Sequence, residues 1–257
     1  MPKKHLVIPD TQVKPGVPID HFTALGNYVV AKQPDVIVHL GDHWDMHSMS
    51  SYDVGKVGFE NGDYAEDIEA GNEAIRLFEA PIKEYNKGRR KKYQPRKVLT
   101  LGNHEDRISR FQEEAENARF RNVVTMKDFD LRPGLVGGWK VVPFKKIIKI
   151  DGIHYCHYFY QQNSGRAIGG LAHYKLNKLK FSFVMGHQQD MDTARMGLNN
   201  GDVIRGLMAG CFYQHDEEYR GAQANSEWRG VHMLHEVNKG DYYPMEVSMN
   251  FLLSNYL

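Results

Sequence analysis

Residues 97–105 read Lys-Val-Leu-Thr-Leu-Gly-Asn-His-Glu, and they carry the clearest indication of the fold. Its first five residues are mostly apolar, as is typical of a short buried strand. The polar cluster Gly-Asn-His-Glu follows where that strand ends. In an open α/β sheet, binding and catalytic side chains collect in the loops at the carboxyl ends of the strands. The stretch therefore predicts a sheet whose strand ends carry a polar site.

The same pattern occurs twice earlier in the chain. Residues 5–9 form an apolar run that ends at Asp10, and residues 36–40 form another that ends at Gly41-Asp42. Between them, apolar residues recur at helical spacing over residues 19–33. A strand, a helix and a second strand in this order predict a parallel βαβ unit.

The second half of the chain is predicted to be richer in strands than the first, with a helix over residues 167–179. Two of its strands end in polar clusters, His154-Tyr155-Cys156-His157 and Gly186-His187-Gln188-Gln189. The predicted strands cover residues 146–150, 153–158, 181–185, 205–209 and 231–237.

Composition narrows the class of protein. Hydrophobic residues make up 41% of the 257 residues and charged residues 25%, which is typical of a globular domain, so one domain over residues 1–257 is predicted. The net charge of +1 gives no overall attraction to nucleic acid. The chain has no apolar run of 18 residues and only two cysteines, which predicts a cytoplasmic protein that does not bind a membrane.

The polar clusters, taken in chain order, resemble the signature of the calcineurin-like metallophosphoesterases. That signature is Asp-x-His, Gly-Asp-x-x, Gly-Asn-His-Asp/Glu, a strand-end His and Gly-His-x-His. Asp42 and residues 102–105 match it outright. The resemblance implies an α/β fold, a two-sheet β-sandwich flanked by helices in four αββα layers. It also implies a metal-dependent enzyme that hydrolyses phosphate esters.

The resemblance further implies a dinuclear site. Two divalent cations, Mn²⁺ first and Mg²⁺ or another transition metal otherwise, would clamp one phosphate, and a metal-bound hydroxide would attack it. His104 would protonate the leaving oxygen or stabilise the transition state. The implied ligands are Asp10 for the first cation, Asp42 as the bridge, and Asn103, His157 and His187 for the second.

Gln12 and Gln189 depart from the family pattern, because both replace histidines that the family uses for the first cation. Glutamine offers a carbonyl oxygen, which favours Mn²⁺ or Mg²⁺. Three alternatives stay open: an oxygen-rich first site with both glutamines as ligands or water anchors, a single tightly bound cation, or a lapsed catalyst. His43 or Asp45 are further candidate ligands, although hydrogen-bonded roles in the turn fit them better.

The choice between two histidines of one predicted strand rests on position. Side chains alternate between the faces of a strand, and a ligand should emerge at the carboxyl end. His157 is therefore the predicted ligand, and His154 is predicted to be a hydrogen-bonded strand residue.

Two segments suggest a substrate. Residues 86–97 carry seven basic residues in twelve, which can contact a phosphate backbone or form a solvated loop. Residues 212–228 mix aromatic and polar residues, which can stack a base or form a subunit interface in an oligomer. A nucleotide or nucleic acid is the predicted substrate, for a phosphodiesterase, nuclease or nucleotidase. A protein phosphatase or a non-catalytic metal- or phosphate-binding module is the alternative.

Overall fold

The computed structural model describes residues 2–50, 62–129, 131, 138–217 and 227–257. The strands are β1 (Lys3–Ile8), β2 (Val36–His39), β3 (Arg96–Thr100), β4 (Lys140–Val142), β5 (Ile148–Ile150), β6 (Ile153–Cys156), β7 (Phe183–Met185), β8 (Met191–Gly197), β9 (Val203–Ala209), β10 (Gly230–Asn238) and β11 (Asp241–Ser248). The α-helices are α1 (His21–Lys32), α2 (Tyr64–Asn86), α3 (Asp106–Glu113), α4 (Ala172–Leu179) and α5 (Met249–Tyr256). Short 3-10 helices cover His47–Met49, Ala115–Phe120 and Met126–Asp128.

The strands form two sheets with parallel centres. The six-stranded sheet has the order β11-β10-β1-β2-β3-β4, in which β1 to β4 run parallel. The five-stranded sheet has the order β5-β6-β7-β9-β8, in which β6, β7 and β9 run parallel. The predicted parallel pairing of the first two strands across α1 is confirmed. Strands β4, β8 and β11 were not predicted, because their short or half-exposed stretches lack a clear apolar pattern.

Four layers result from the way these elements bury their apolar faces. One cluster joins α1, α2 and α5 to the outer face of the six-stranded sheet, for example through Phe22, Phe78 and Leu252. A second cluster fills the space between the sheets. A third packs Leu176 of α4 against Phe183 on the outer face of the five-stranded sheet. The predicted αββα sandwich is therefore confirmed.

The carboxyl ends of the parallel strands carry the polar clusters, as the sequence predicts. Sharp turns follow these strands: Gly41 has φ +94°, Asp42 φ +47° and His187 φ +68°. The Asp42 carbonyl accepts the backbone N–H groups of Thr11 and Gln12, at 3.1 and 2.8 Å. These bonds join the turns after β1 and β2 into one surface.

Helix α2 begins at Tyr64, where the Asp63 side chain caps it by accepting the N–H groups of Ala65 and Glu66. Within the described ranges, no helix is both long and apolar enough to cross a membrane.

Candidate metal centre

His157 lies at the middle of the strand-end cluster, one residue beyond β6. Its Nδ1 donates to the Leu40 carbonyl at 2.8 Å, which leaves Nε2 to face the other groups. Nε2 is 3.0 Å from Asn103 Oδ1 and 3.2 Å from Asp42 Oδ2. Burial would lower the pKa of His157, but the carboxylates of Asp42 and Asp10 raise it to about 10. The carboxylates around the His157 ring therefore strongly favour a positive charge next to Nε2.

His187 completes this group from the turn after β7. One ligand atom each of Asp42, His157 and His187 lie within 4.8 Å of one another. Burial and the neighbouring His157 lower the pKa of His187 to about 4, so its imidazole is neutral. A neutral imidazole has a lone pair that a cation can use.

This donor set fits a divalent cation. It contains two imidazole nitrogens, which suit ions such as Zn²⁺, and the oxygens of one carboxylate and of the Asn103 amide, which suit ions such as Mn²⁺. The bond from His157 Nδ1 to a backbone carbonyl is the arrangement that orients a metal-binding imidazole. The residues predicted for the second cation are thus brought together.

Asp10 lies beside the same group, fully buried at the end of β1. Its two carboxylate oxygens each accept the backbone N–H of His187 at 3.0 Å, and Oδ1 is 3.9 Å from His157 Nδ1. Burial raises the pKa of Asp10 to about 7, with Asp42 adding to the effect and His157 opposing it. A cation nearby would favour the ionised form, so Asp10 also fits the predicted role.

Gln12 and Gln189 are both buried and both have a left-handed backbone, with φ of 37° and 61°. Gln12 is tied to the site through its N–H, which donates to the Asp42 carbonyl. Gln189 Oε1 accepts the Tyr213 hydroxyl at 2.8 Å. Their role as ligands of a first cation stays a prediction.

His104, the predicted acid, is held by two carboxylates. Its backbone N–H donates to Asp42 Oδ1 at 2.9 Å, and its Nδ1 is 2.8 Å from Asp45 Oδ1. Burial would lower the pKa of His104, but Asp42 and Asp45 raise it to about 9. Arg107 donates to the Asp45 carbonyl at 2.8 Å and so fixes this turn. His104 therefore carries a proton at neutral pH.

Glu105 has a role that the motif did not reveal. Its carboxylate, fully buried, accepts four backbone N–H groups: Oε2 accepts those of Asp42 and Gly102 at 3.0 and 2.7 Å, and Oε1 those of His43 and Trp44 at 2.6 and 3.3 Å. The turn after β2 is thus bound to the turn after β3. The only signal in the sequence was the acidic last position of Gly-Asn-His-Glu.

His43 is excluded as a substitute ligand, because both of its ring nitrogens are engaged. Nδ1 is 2.8 Å from Thr11 Oγ1, and Nε2 is 2.9 Å from the Gly71 carbonyl. Thr11 Oγ1 also lies 3.2 Å from His39 Nε2, and His39 Nδ1 accepts the N–H of Gly41. Burial lowers the pKa of His43 to about 4, so this chain of hydrogen bonds is neutral.

His154, as predicted, is a hydrogen-bonded strand residue outside the metal centre. Its Nδ1 is 3.1 Å from the Ser182 carbonyl, and its ring packs on Phe181.

The aromatic segment over residues 212–228 reaches the centre through Tyr213. That ring is buried, stacks on His215 and bonds to Gln189, so it has no free face for a base. His215 Nε2 is 2.6 Å from Glu217 Oε1, and both Glu217 oxygens are 3.0 Å from Lys14 Nζ. Tyr219 and Arg220, which were part of the predicted stacking segment, lie outside the described residues.

Comparison with known proteins identifies no family for this chain. No family model and no curated protein matches the chain. One solved crystal structure aligns over 96% of this chain and 100% of its own, at 10% identity and a TM-score of 0.44. Another, described as a conserved uncharacterized protein and predicted phosphoesterase from Streptococcus pneumoniae TIGR4, aligns over 96% and 99%, at 11% identity and a TM-score of 0.35. Similarity this low establishes no shared activity.

Proposed function

We propose that this protein is a metal-dependent hydrolase of phosphate esters, with a nucleotide or nucleic acid as its substrate. One observation carries the proposal: Asp42 Oδ2, Asn103 Oδ1 and His157 Nε2 converge within hydrogen-bonding distance, with His187 beside them. Three elements distant in sequence bring these atoms together. Two imidazoles, a carboxylate and an amide oxygen that lie this close together form a donor set that suits a divalent cation.

In the proposal, the metal ligands are shared between two cations. Asp42, Asn103, His157 and His187 hold one, and Asp10, Asp42, Gln12 and Gln189 hold the other, with Mn²⁺ as the expected ion. Divalent cations bound there would polarise a phosphoryl oxygen and acidify a water molecule.

The chain's own groups then place and protonate the substrate. His104 holds a proton and lies beside Asp42, where it can give that proton to the leaving oxygen. Asp45 keeps the imidazole of His104 oriented through Nδ1, which leaves Nε2 as the donating atom. Glu105 keeps the two turns that carry Asp42 and His104 in fixed relation.

A non-catalytic metal-binding module is the second candidate. The hydrogen bond from Tyr213 to Gln189 Oε1 favours it, because that bond occupies one lone pair of the oxygen that a first cation would use.

Metal content and turnover together test the proposal. Purified protein loaded with Mn²⁺ is expected to hydrolyse bis(p-nitrophenyl) phosphate or p-nitrophenyl phosphate, and a screen of nucleotides, single-stranded and double-stranded nucleic acid defines the substrate. Asp42→Ala should abolish turnover and His104→Ala should lower it by roughly 10²- to 10⁴-fold, while circular dichroism stays native. His154→Ala, three positions before His157, is the matched control and should keep its activity.

Two outcomes contradict the proposal. Turnover that survives Asp42→Ala would show that the site is wrongly assigned. If the native chain has no activity but Gln12→His with Gln189→His creates it, the binding-module alternative is correct.

A further inference from the structure

A groove lined by lysines lies at the end of α2, far from the metal centre along the sheet. Its volume is about 670 Å³. We call it the basic groove, and its lining residues are Ala80, Lys83, Glu84, Asn86, Lys87, Lys92 and Gln94. Residues 83–97 contain eight basic side chains and one acidic side chain, in a chain whose net charge is only +1. The positive charge is therefore concentrated here, and the rest of the chain is net negative.

The loop that borders the groove is firmly held. The Asn86 side chain accepts the N–H of Tyr93 at 2.7 Å and donates to its carbonyl at 2.8 Å. Lys92 Nζ donates to the Asn86 carbonyl at 2.6 Å, and the Tyr93 hydroxyl donates to the Pro34 carbonyl at 2.7 Å. Because the loop is already ordered, a ligand would bind it without a large entropic cost.

Much of the positive charge on this loop is not neutralised. Lys97 is buried and pairs with Glu79, which explains one basic residue as structural. Lys87 and Glu84 are 3.7 Å apart with both side chains about three-quarters exposed, a geometry that contributes little. Arg90 and Lys91 are exposed and form no ion pair within the part of the chain that the structure describes.

The groove and the metal centre lie at opposite ends of β3. Arg96 begins β3 directly after the loop, and Asn103 follows its far end. At about 3.3 Å per residue, the two are separated by roughly 20 Å. Lys4 and Arg96 flank Asp35 through backbone hydrogen bonds, so the start of β1 adds a further basic residue to this end of the sheet. A group bound in the groove is therefore too far from the metal centre to be the group that reacts there.

We infer that the basic groove binds the phosphate backbone of a nucleic acid, on a part of the molecule outside the metal centre. Regularly spaced phosphates complement a row of cations on a rigid concave surface. Residues 80–97, all of them described, expose no large apolar side chain of the kind that inserts into a membrane surface. A role of this contact in catalysis rests on the proposed function. The inference that the groove binds nucleic acid does not.

Fluorescence anisotropy with a labelled single-stranded DNA of roughly 20 nucleotides tests the inference. Lys83→Ala with Lys87→Ala, which removes two exposed lysines that line the groove, is expected to weaken binding about tenfold and to reduce the salt dependence of log Kd by about 0.7 per lost contact. Lys127→Ala with Lys178→Ala removes two exposed lysines outside the groove and is the matched control. Both proteins should hydrolyse bis(p-nitrophenyl) phosphate like the native chain.

Each alternative result overturns the inference. Equal loss in both variants would mean that binding follows net charge only. Undiminished DNA binding in Lys83→Ala with Lys87→Ala would place the contact elsewhere. Binding to phosphatidylserine vesicles but not to DNA would identify a membrane surface instead. Asp42→Ala separates the two proposals, because it should keep DNA binding while it loses turnover.

Discussion

His104 Nδ1 lies 2.8 Å from Asp45 Oδ1, although 59 positions separate the two residues. Asp45 follows the turn after β2 and His104 the end of β3, and the parallel pairing of these strands brings the two together. Their contact holds an imidazole charged and oriented beside Asp42. Asp42 is thus a proposed cation ligand, whereas Asp45 positions the proton donor His104.

Asp45→Asn is therefore expected to lower kcat by about 100-fold, at the lower end of the range that a general acid contributes. KM and metal content should stay near native values, because Asp45 contacts His104 and is not one of the proposed ligands. Steady-state kinetics and metal analysis check this. Asp45→Asn combined with His104→Ala should be no slower than His104→Ala alone, and additive losses would contradict a shared role.

Glu105→Gln should destabilise the protein, because the amide Nε2 would meet backbone N–H donors where Glu105 now presents an acceptor. Buried donors left without acceptors make a loss of about 3 kcal/mol in the free energy of unfolding the expected result. Urea denaturation measures it. Glu113→Gln, an exposed change on α3, is the control and should lie within about 0.5 kcal/mol of native.

Gly102→Ala should weaken cation binding by displacing a ligand. A Cβ at this position would lie 2.0 Å from Asp42 Oδ1, and Gly102 cannot move without the turn that carries Asn103. Isothermal titration with Mn²⁺ should report at least a tenfold loss of affinity, comparable to loss of groups that orient a ligand. Gly169→Ala, where a Cβ meets nothing within 4 Å, should bind Mn²⁺ like the native chain.

His232 predicts how stability changes with pH. It is fully buried on β10, donates from Nε2 to the Ala209 carbonyl at 3.0 Å, and burial lowers its pKa to about 4. Because the unfolded chain takes up this proton near pH 6.5 and the folded chain only near pH 4, stability is lost as the pH falls between these values. The loss from this group is at most roughly 3 kcal/mol.

His232→Gln keeps a donor for Ala209 and removes the titration. Its free energy of unfolding should fall less steeply between pH 6.5 and 4 than that of the native chain. His173→Gln, an exposed change on α4, should keep the native slope. An unchanged slope in His232→Gln would contradict the assignment.

The order of elements could be predicted from the sequence because it depends on local patterns. Apolar runs followed by Gly-Asp or Gly-Asn placed Asp42 and Asn103 at strand ends, where the structure has them. Alternation along one strand also separated His157 from His154. Such signals act over a few residues, and neighbouring side chains alone fix them.

The edge strands and the roles within the cluster could not be predicted in this way. Strand β8 is half exposed and has no apolar pattern of its own, so its pairing with β9 depends on the assembled sheet. His43 and His104 lie in similar turns in the sequence. Which of them faces Asp42 depends on what each ring nitrogen meets, and this is decided by contacts across the fold.

The residues at the carboxyl ends of the strands could be identified from the sequence, because the end of a strand and the turn that follows it depend on adjacent residues. Three relations depend on the folded chain: Glu105 binds two turns together, Asp45 holds His104, and the basic groove and the metal centre lie at opposite ends of β3. These relations depend on sheet order and on distances of about 3 Å between residues far apart in the chain. Hydrogen bonds and ion pairs form only at such distances, and no local pattern specifies them.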